Sequence, residues 1–352
     1  MTDSPYVDQP DHAFWRSAVA ETSPLDLQSI YKRRWPIEAD WKIATAGSCF
    51  AQHIARYMKA ADYTVMDVEP KPNGLPEADA PRFGYGIFSA RYSNIYTARQ
   101  LLQLVREALG QTHPVNLIWE KDGRYYDSRR PGIEPGGFES AAELLDHRVF
   151  QLRHVRQMLE EMDLLIFTLG LTETWEHTAS GTVFPTAPGT IAGQFDPNIY
   201  SFRNFTFAEV YDDLTTVLDL LKAHRDTPLK VLLSVSPVPL TATAEDHHVL
   251  QSSTYSKSVL RAVAGQLRTE REDVDYFPSF EIVTNPAARG VFYAPNLRSV
   301  TPAGVACVMR SFFAEHAGCN AAQDPTTPKP VTDEDDGDDV VCEEAMLEAF
   351  GK

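Results

Sequence analysis

The sequence predicts a three-layer α/β domain built on a mainly parallel sheet. Three observations carry that prediction. Short apolar runs of strand length occur near residues 42–46, 163–170 and 229–237. Amphipathic or capped helical stretches alternate with them along the chain, as a parallel sheet covered by helices requires. The polar residues Ser48, Thr172, Glu173 and Ser236 all fall at the ends of those runs. In such sheets ligands bind at the carboxyl ends of the strands, so these residues converge on one candidate site.

The elements follow in order. Residues 1–41 are rich in Pro and Asp with scattered aromatics, among them Tyr6, Trp15, Trp35 and Trp41, and are expected to form an arm packed on the domain. The first strand covers about 42–46 and its helix about 50–61; Tyr63 to Val68 reads as a second strand. After a loop over 69–86, Ser93-Asn94 precedes a helix near 95–109 with Ile95, Ala98, Leu101, Leu102 and Val105 on one face. Residues 110–138 look like an insertion, in which Leu117-Ile118-Trp119 and Arg124-Tyr125-Tyr126 flank a Lys121-Asp122-Gly123 turn as a hairpin. Ser140 and Glu143 make a capping box for a helix to about Met162, and Thr206 and Glu209 another for a helix to about Ala223. Residues 176–204 read as a long loop of the kind that covers a site. A polar loop with His247-His248 leads to a helix near 255–269, then a short strand from Val274 to Phe277. Thr301-Pro302 opens a last helix to about His316. The domain therefore spans 42–319, and the Pro- and Asp-rich segment 320–352 is expected to be a disordered acidic tail. Apolar residues at helical spacing between Val340 and Phe350 make its end a candidate partner-binding segment.

Composition narrows the function classes. The 352 residues carry a net charge of −17. Ten acids and two lysines from Asp324 onward place −8 of this in the tail. No basic stripe is present, which argues against nucleic acid. The cysteines at 49, 307, 319 and 342 have neither metal-ligand nor disulfide-framework spacing. With no signal pattern and no apolar run of membrane length, the sequence reads as that of a cytoplasmic protein. No cofactor or metal is expected.

The strongest local signal is Gly47-Ser48-Cys49, where an apolar strand turns straight into a helix. Gly47 allows the backbone to bend, and Ser48 stands where free N–H groups and the helix dipole favour an anion. Two roles fit Ser48. It is a nucleophile whose acyl intermediate needs those donors, or it is an N-cap. Cys49 is either an alternative nucleophile or small core filler.

Several blocks resemble the bacterial GSCFA family, which takes its name from the motif standing here as Gly47-Ser48-Cys49-Phe50-Ala51. They include Arg91 to Thr97, Thr168 to Trp175, Ser236 to Leu240 and Tyr255 to Ser258. The resemblance runs from about Phe14 to Phe313. The family is similar to the SGNH hydrolases, flavodoxin-like enzymes that cleave or transfer acyl esters. That implies Ser48 as nucleophile, with oxyanion donors at its own backbone N–H, at the turn including Gly47 and Cys49, and at Gly170, and Asn94 either as a further donor or as a helix cap. The Asn of the third SGNH block is absent; Gly170-Leu171-Thr172-Glu173 stands there, so Thr172 or a backbone N–H must serve instead. The Asp-x-x-His before the last helix is also absent, replaced by Asn296 to Pro302. The base must then come from elsewhere. His248, eleven residues past Pro237, is expected to return over the pocket to within hydrogen-bond reach of Ser48, with Glu173 or Asp246 orienting it. His247 and His53 are lesser candidates.

The expected function is an SGNH-like esterase or O-acyltransferase acting on a small-molecule or glycan acyl ester, with a cell-envelope acceptor suggested by analogy. The other class is a binding or assembly protein that keeps the pocket without turnover. A nucleotide-binding enzyme fits poorly, because the turn lacks phosphate-loop spacing.

Overall fold

A computed structural model describes residues 4–112, 118–316 and 342–351. Strand β1 (Ile43–Gly47) leads into helix α1 (Ala51–Ala60), followed by α2 (Ala98–Ala108), the hairpin β2 (Ile118–Lys121) and β3 (Arg124–Asp127), and α3 (Ala141–Glu161). Next come β4 (Leu164–Leu169), β5 (Glu173–His177), β6 (Thr182–Phe184), β7 (Tyr200–Asn204) and α4 (Phe207–Ala223). Strand β8 (Lys230–Val235), α5 (Val249–Glu270), β9 (Val274–Phe277), α6 (Ser279–Thr284) and α7 (Pro302–His316) complete the domain.

The main sheet is parallel in the order β1-β4-β8-β9. Every residue of β1, β4 and β9 is buried. Alternation sorts their side chains to two faces. Ala44, Leu165, Phe167, Leu233 and Tyr276 meet helices α2 to α5. Ile43, Leu164, Ile166, Leu232 and Phe277 meet α1, α6 and α7. The result is three layers. The expected second strand is reduced to one parallel bridge, Val65 to Ile43. Counting it at the edge gives the order 2-1-3-4-5 of a doubly wound sheet, whose switch point lies between β1 and β4.

Tyr31, Trp35 and Ile37 of the arm are buried against the α7 face, so that part of the arm belongs to the core. The predicted hairpin forms, with Trp119 opposite Tyr126; Leu117 lies outside the described residues, as do Cys319 and most of the tail. The expected loop over 176–204 instead contributes β6 and β7, which flank β5 in an antiparallel sheet. Strands of three and five residues broken by Gly and Pro give too little periodicity to read. Among the described residues no helix is long and apolar enough to cross a membrane.

Candidate active site

The switch point places the Gly-Ser turn. Gly47 has φ +136°, and a Cβ there would stand 2.4 Å from the carbonyl oxygen of Thr168. Only glycine lets β1 and β4 approach so closely while the chain turns. Ser48 is 2% exposed, and its backbone N–H donates to Thr168 O at 3.0 Å. That amide is therefore spent on the sheet, a departure from the role expected of the nucleophile's own N–H. The next two amides, of Cys49 and Phe50, donate to no acceptor among the described residues. The Ser48 hydroxyl is buried and has no hydrogen-bond partner among the described residues. Buried polar groups are paired in the great majority of cases, so an orphan marks function or a missing ligand.

Two further donors expected on the third block are occupied. The Gly170 amide donates to Tyr96 O at 3.0 Å. The Thr172 amide donates to Ser256 Oγ, and its hydroxyl donates to Asn204 Oδ1. The oxyanion role expected of both therefore does not fit. Gly170 serves by being small, because a Cβ there would stand 3.0 Å from the Cβ of Ser48 and from Tyr96 O.

Asn94 does reach the site, and it is not a helix cap. Thr97 caps α2 in a capping box with Gln100. That leaves Asn94 in the turn before the cap, 1% exposed. Gln52 Nε2 donates to Asn94 Oδ1 at 3.2 Å, which orients the amide so that Nδ2 faces the pocket. The preceding Ser93 holds φ +61°, a conformation non-glycine residues adopt only where the surroundings impose it.

His248 does not meet Ser48. It is the N-cap of α5, exposed, with its Nδ1 accepting from Leu250 N at 3.1 Å. The helix starts six residues earlier than its amphipathic pattern suggests, so the histidine is held at a helix end instead of returning over the pocket. His247 bonds Glu245 at the surface. The His53 ring packs edge-on against Phe50, and burial with the nearby Arg56 pushes its pKa down to about 4. Glu173 orients no histidine. It accepts from Thr243 Oγ1 at 2.9 Å. Burial pushes its carboxyl up to about 7, the Thr243 bond opposing and Glu245 and Glu344 adding to the rise.

Three residues to which the sequence alone assigns no role complete the pocket. Lys257 is 5% exposed and donates to Gly170 O at 2.6 Å; burial lowers its pKa to about 8. Tyr96 is buried, and its hydroxyl donates to Glu343 at 3.1 Å. Arg298 stands where the superfamily resemblance calls for Asp-x-x-His. Lys257 and Tyr96 fall in blocks of the resemblance, and that is the only signal the sequence holds for them.

The pocket also holds a segment from the far end of the chain. Residues 342–351, expected to belong to a disordered tail, form a short 3₁₀ helix (Glu343–Phe350) bound to Ser93, Asn94, Tyr96 and Arg298, with Cys342 beside Cys49 of the Gly-Ser turn. Glu343 and Glu344 are 2% and 9% exposed. The neighbouring Cys342 sulfur, together with burial, pushes the Cys49 thiol well above its usual range. A thiol held protonated in this way is a poor nucleophile.

No curated protein and no solved structure matches the chain. One family model does, over residues 42–312, which includes the turn, Asn94, Gly170, Lys257 and Arg298. The chain belongs to the GSCFA family.

Proposed function

We propose that this protein is an SGNH-like serine esterase or O-acyltransferase. The observation that carries the reading is the buried, unpartnered Ser48 hydroxyl at the mouth of α1 and the sheet's switch point. Ser48 Oγ attacks the acyl carbon of an ester. The amides of Cys49 and Phe50, with Asn94 Nδ2, receive the oxyanion. The neutral amine of Lys257 takes the hydroxyl proton and returns it to the departing alcohol oxygen. Water or an acceptor alcohol then takes the acyl group from Ser48. Lys257 suits this role in place of His248, because it binds the carbonyl of Gly170, the residue packed on Ser48, and its pKa of about 8 leaves a sizeable neutral fraction near neutrality.

That no base hydrogen-bonds Ser48 among the described residues favours a second reading, a binding protein that keeps the pocket without turnover. Intact mass after treatment with a fluorophosphonate at pH 8.5 separates the two. The experiment uses the full chain and a Glu343→Ala, Glu344→Ala form in which the pocket is open. The enzyme reading expects one adduct, mapped to Ser48, lost in Ser48→Ala and strongly slowed in Lys257→Met, with His248→Ala close to the unaltered chain. No adduct in either form leaves the binding reading.

A further inference from the structure

The tail segment is bound as a ligand is bound. Glu343 presents its carboxylate to three donors at once: Ser93 Oγ, Asn94 Nδ2 at 2.5 Å and Tyr96 OH at 3.1 Å. Its neighbour Glu344 accepts from the Thr241 amide at 2.9 Å and pairs with Arg298 at 3.4 Å. Arg298 extends to Glu348 at 3.9 Å and to the Cys342 sulfur at 3.9 Å. Two adjacent carboxylates thus fill two separate donor sets, one neutral and one cationic. Acidic residues are almost never buried unless paired, and three donors on one carboxylate exceed what a chance surface contact provides. The donors are themselves prepared from the domain side, Asn94 by Gln52 and Ser93 by its left-handed backbone. None of them lies in the tail.

We propose that the pocket over Ser48 is a two-point carboxylate site that recognises an acidic peptide, and that its resident is the chain's own segment 342–351. The first point is Ser93, Asn94 and Tyr96; the second is Arg298 with the Thr241 amide. The segment acts as a competitor in cis, covering the Ser48 turn until it lifts. This deepens the catalytic reading, since Asn94 belongs to both, but peptide recognition requires no turnover.

The test uses the full-length Glu343→Ala, Glu344→Ala chain, whose tail has lost both anchors, and a fluorescein-labelled peptide of residues 342–352 with serine at the Cys342 position. Fluorescence anisotropy at low ionic strength should show saturable binding. The affinity should be at least about tenfold above that of the same peptide with both glutamates replaced by alanine, since removing a charge-assisted hydrogen bond weakens binding by about that factor or more. It should also be at least about tenfold above that for the unaltered chain, whose own tail holds the site. Adding Asn94→Ala or Arg298→Ala to the acceptor should weaken it again, while circular dichroism and thermal melting report an intact fold. Equal binding to unaltered and altered chains, indifference to the two glutamates, or no saturable binding would each overturn the proposal. Unaltered chain that elutes as a dimer, with the double variant monomeric, would place the tail in a neighbouring copy and overturn the cis seat. If the peptide binds but no fluorophosphonate adduct forms, the catalytic reading alone is lost.

Discussion

Carboxylates are buried in two places in this molecule, and they are held in opposite ways. Behind the β2–β3 hairpin, Asp127 and Glu107 sit among Arg129, Arg130 and Arg148, with Asp127 at 2.7 Å from Arg130 and Glu107 at 3.0 Å from Arg129. Burial pushes the Asp127 carboxyl up, but the three arginines outweigh it and hold it at about 2. At the Ser48 turn, Glu343 is met by neutral hydroxyl and amide donors, and Glu344 by one arginine and a backbone amide. The first arrangement comes from segments within the folded domain and is rich in opposite charge. The second joins a prepared domain surface to a segment that follows the last helix. Excess charge compensation belongs to a contact that forms once, on folding. Sparser compensation, built from donors that water can also satisfy, belongs to a contact that can open.

The contrast is broken most severely by removing one charge from the hairpin cluster. Asp127→Ala strands Arg130 without its carboxylate partner in a buried site and leaves Arg148 with Glu107 as its carboxylate, and should lower unfolding stability by about 3–5 kcal/mol, read by urea denaturation. Glu343→Ala with Glu344→Ala should lower the same stability by only about 1.4 kcal/mol, the docking free energy of the tail, because the freed donors reach water. A comparable loss in both would mean the tail glutamates are part of the core.

A smaller effect sharpens the comparison at the site. Lifting the tail should raise the rate of fluorophosphonate labelling at Ser48 by about tenfold or more, the factor that a docking free energy of about 1.4 kcal/mol imposes on the open fraction. Labelling that is unchanged while the peptide still binds would show that the tail leaves the Ser48 turn accessible.

Much of the fold was legible because it rests on local signals. The capping residues Ser140 and Thr206 stand where expected, and each accepts from the amide three residues on. The buried runs became β1, β4 and β8. The site was legible only where backbone geometry dictated it, at Gly47 and Ser48. What joins Lys257, Tyr96, Arg298 and Glu343 to that turn is packing between elements up to about three hundred residues apart, and no periodicity or capping rule encodes it. His248 shows the same limit from the other side. Loop length allowed a return over the pocket, but an N-cap bond made within two residues took the ring instead. Of the tail, only 342–351 lies among the described residues, and that stretch departs from the disorder that composition predicts. Its low apolar content argues against a core contribution, but docking here rests on two carboxylates, and the donors that receive them lie in the domain.

The finest test of the contrast is pH. The hairpin cluster should stay ionised across the neutral range, because Asp127 is held at about 2. The tail site should not be so constant. Glu344 faces Glu173, whose carboxyl burial raises to about 7, with Glu245 and Glu344 adding to the rise. It also faces Lys257, lowered by burial to about 8 with Glu344 opposing the fall, and the always-charged Arg298. As pH rises through about 7, Glu173 becomes an anion beside Glu344. As it rises through about 8, Lys257 loses the charge that attracts Glu344. Both changes act in one direction. By linkage, a tail carboxylate that raises the pKa values of Glu173 and Lys257 binds together with protons and is released as protons leave. Affinity of the serine-bearing peptide for the tail-lifted chain should therefore fall between pH 6 and pH 9, by about tenfold. Glu173→Gln should flatten the part of the decline near pH 7. The same rise in pH makes Lys257 neutral, so the condition that frees the proposed base also lifts its cover. An affinity that is constant from pH 6 to pH 9, or that increases, would show that neither Glu173 nor Lys257 senses the tail, and would remove this link between the two ends of the chain.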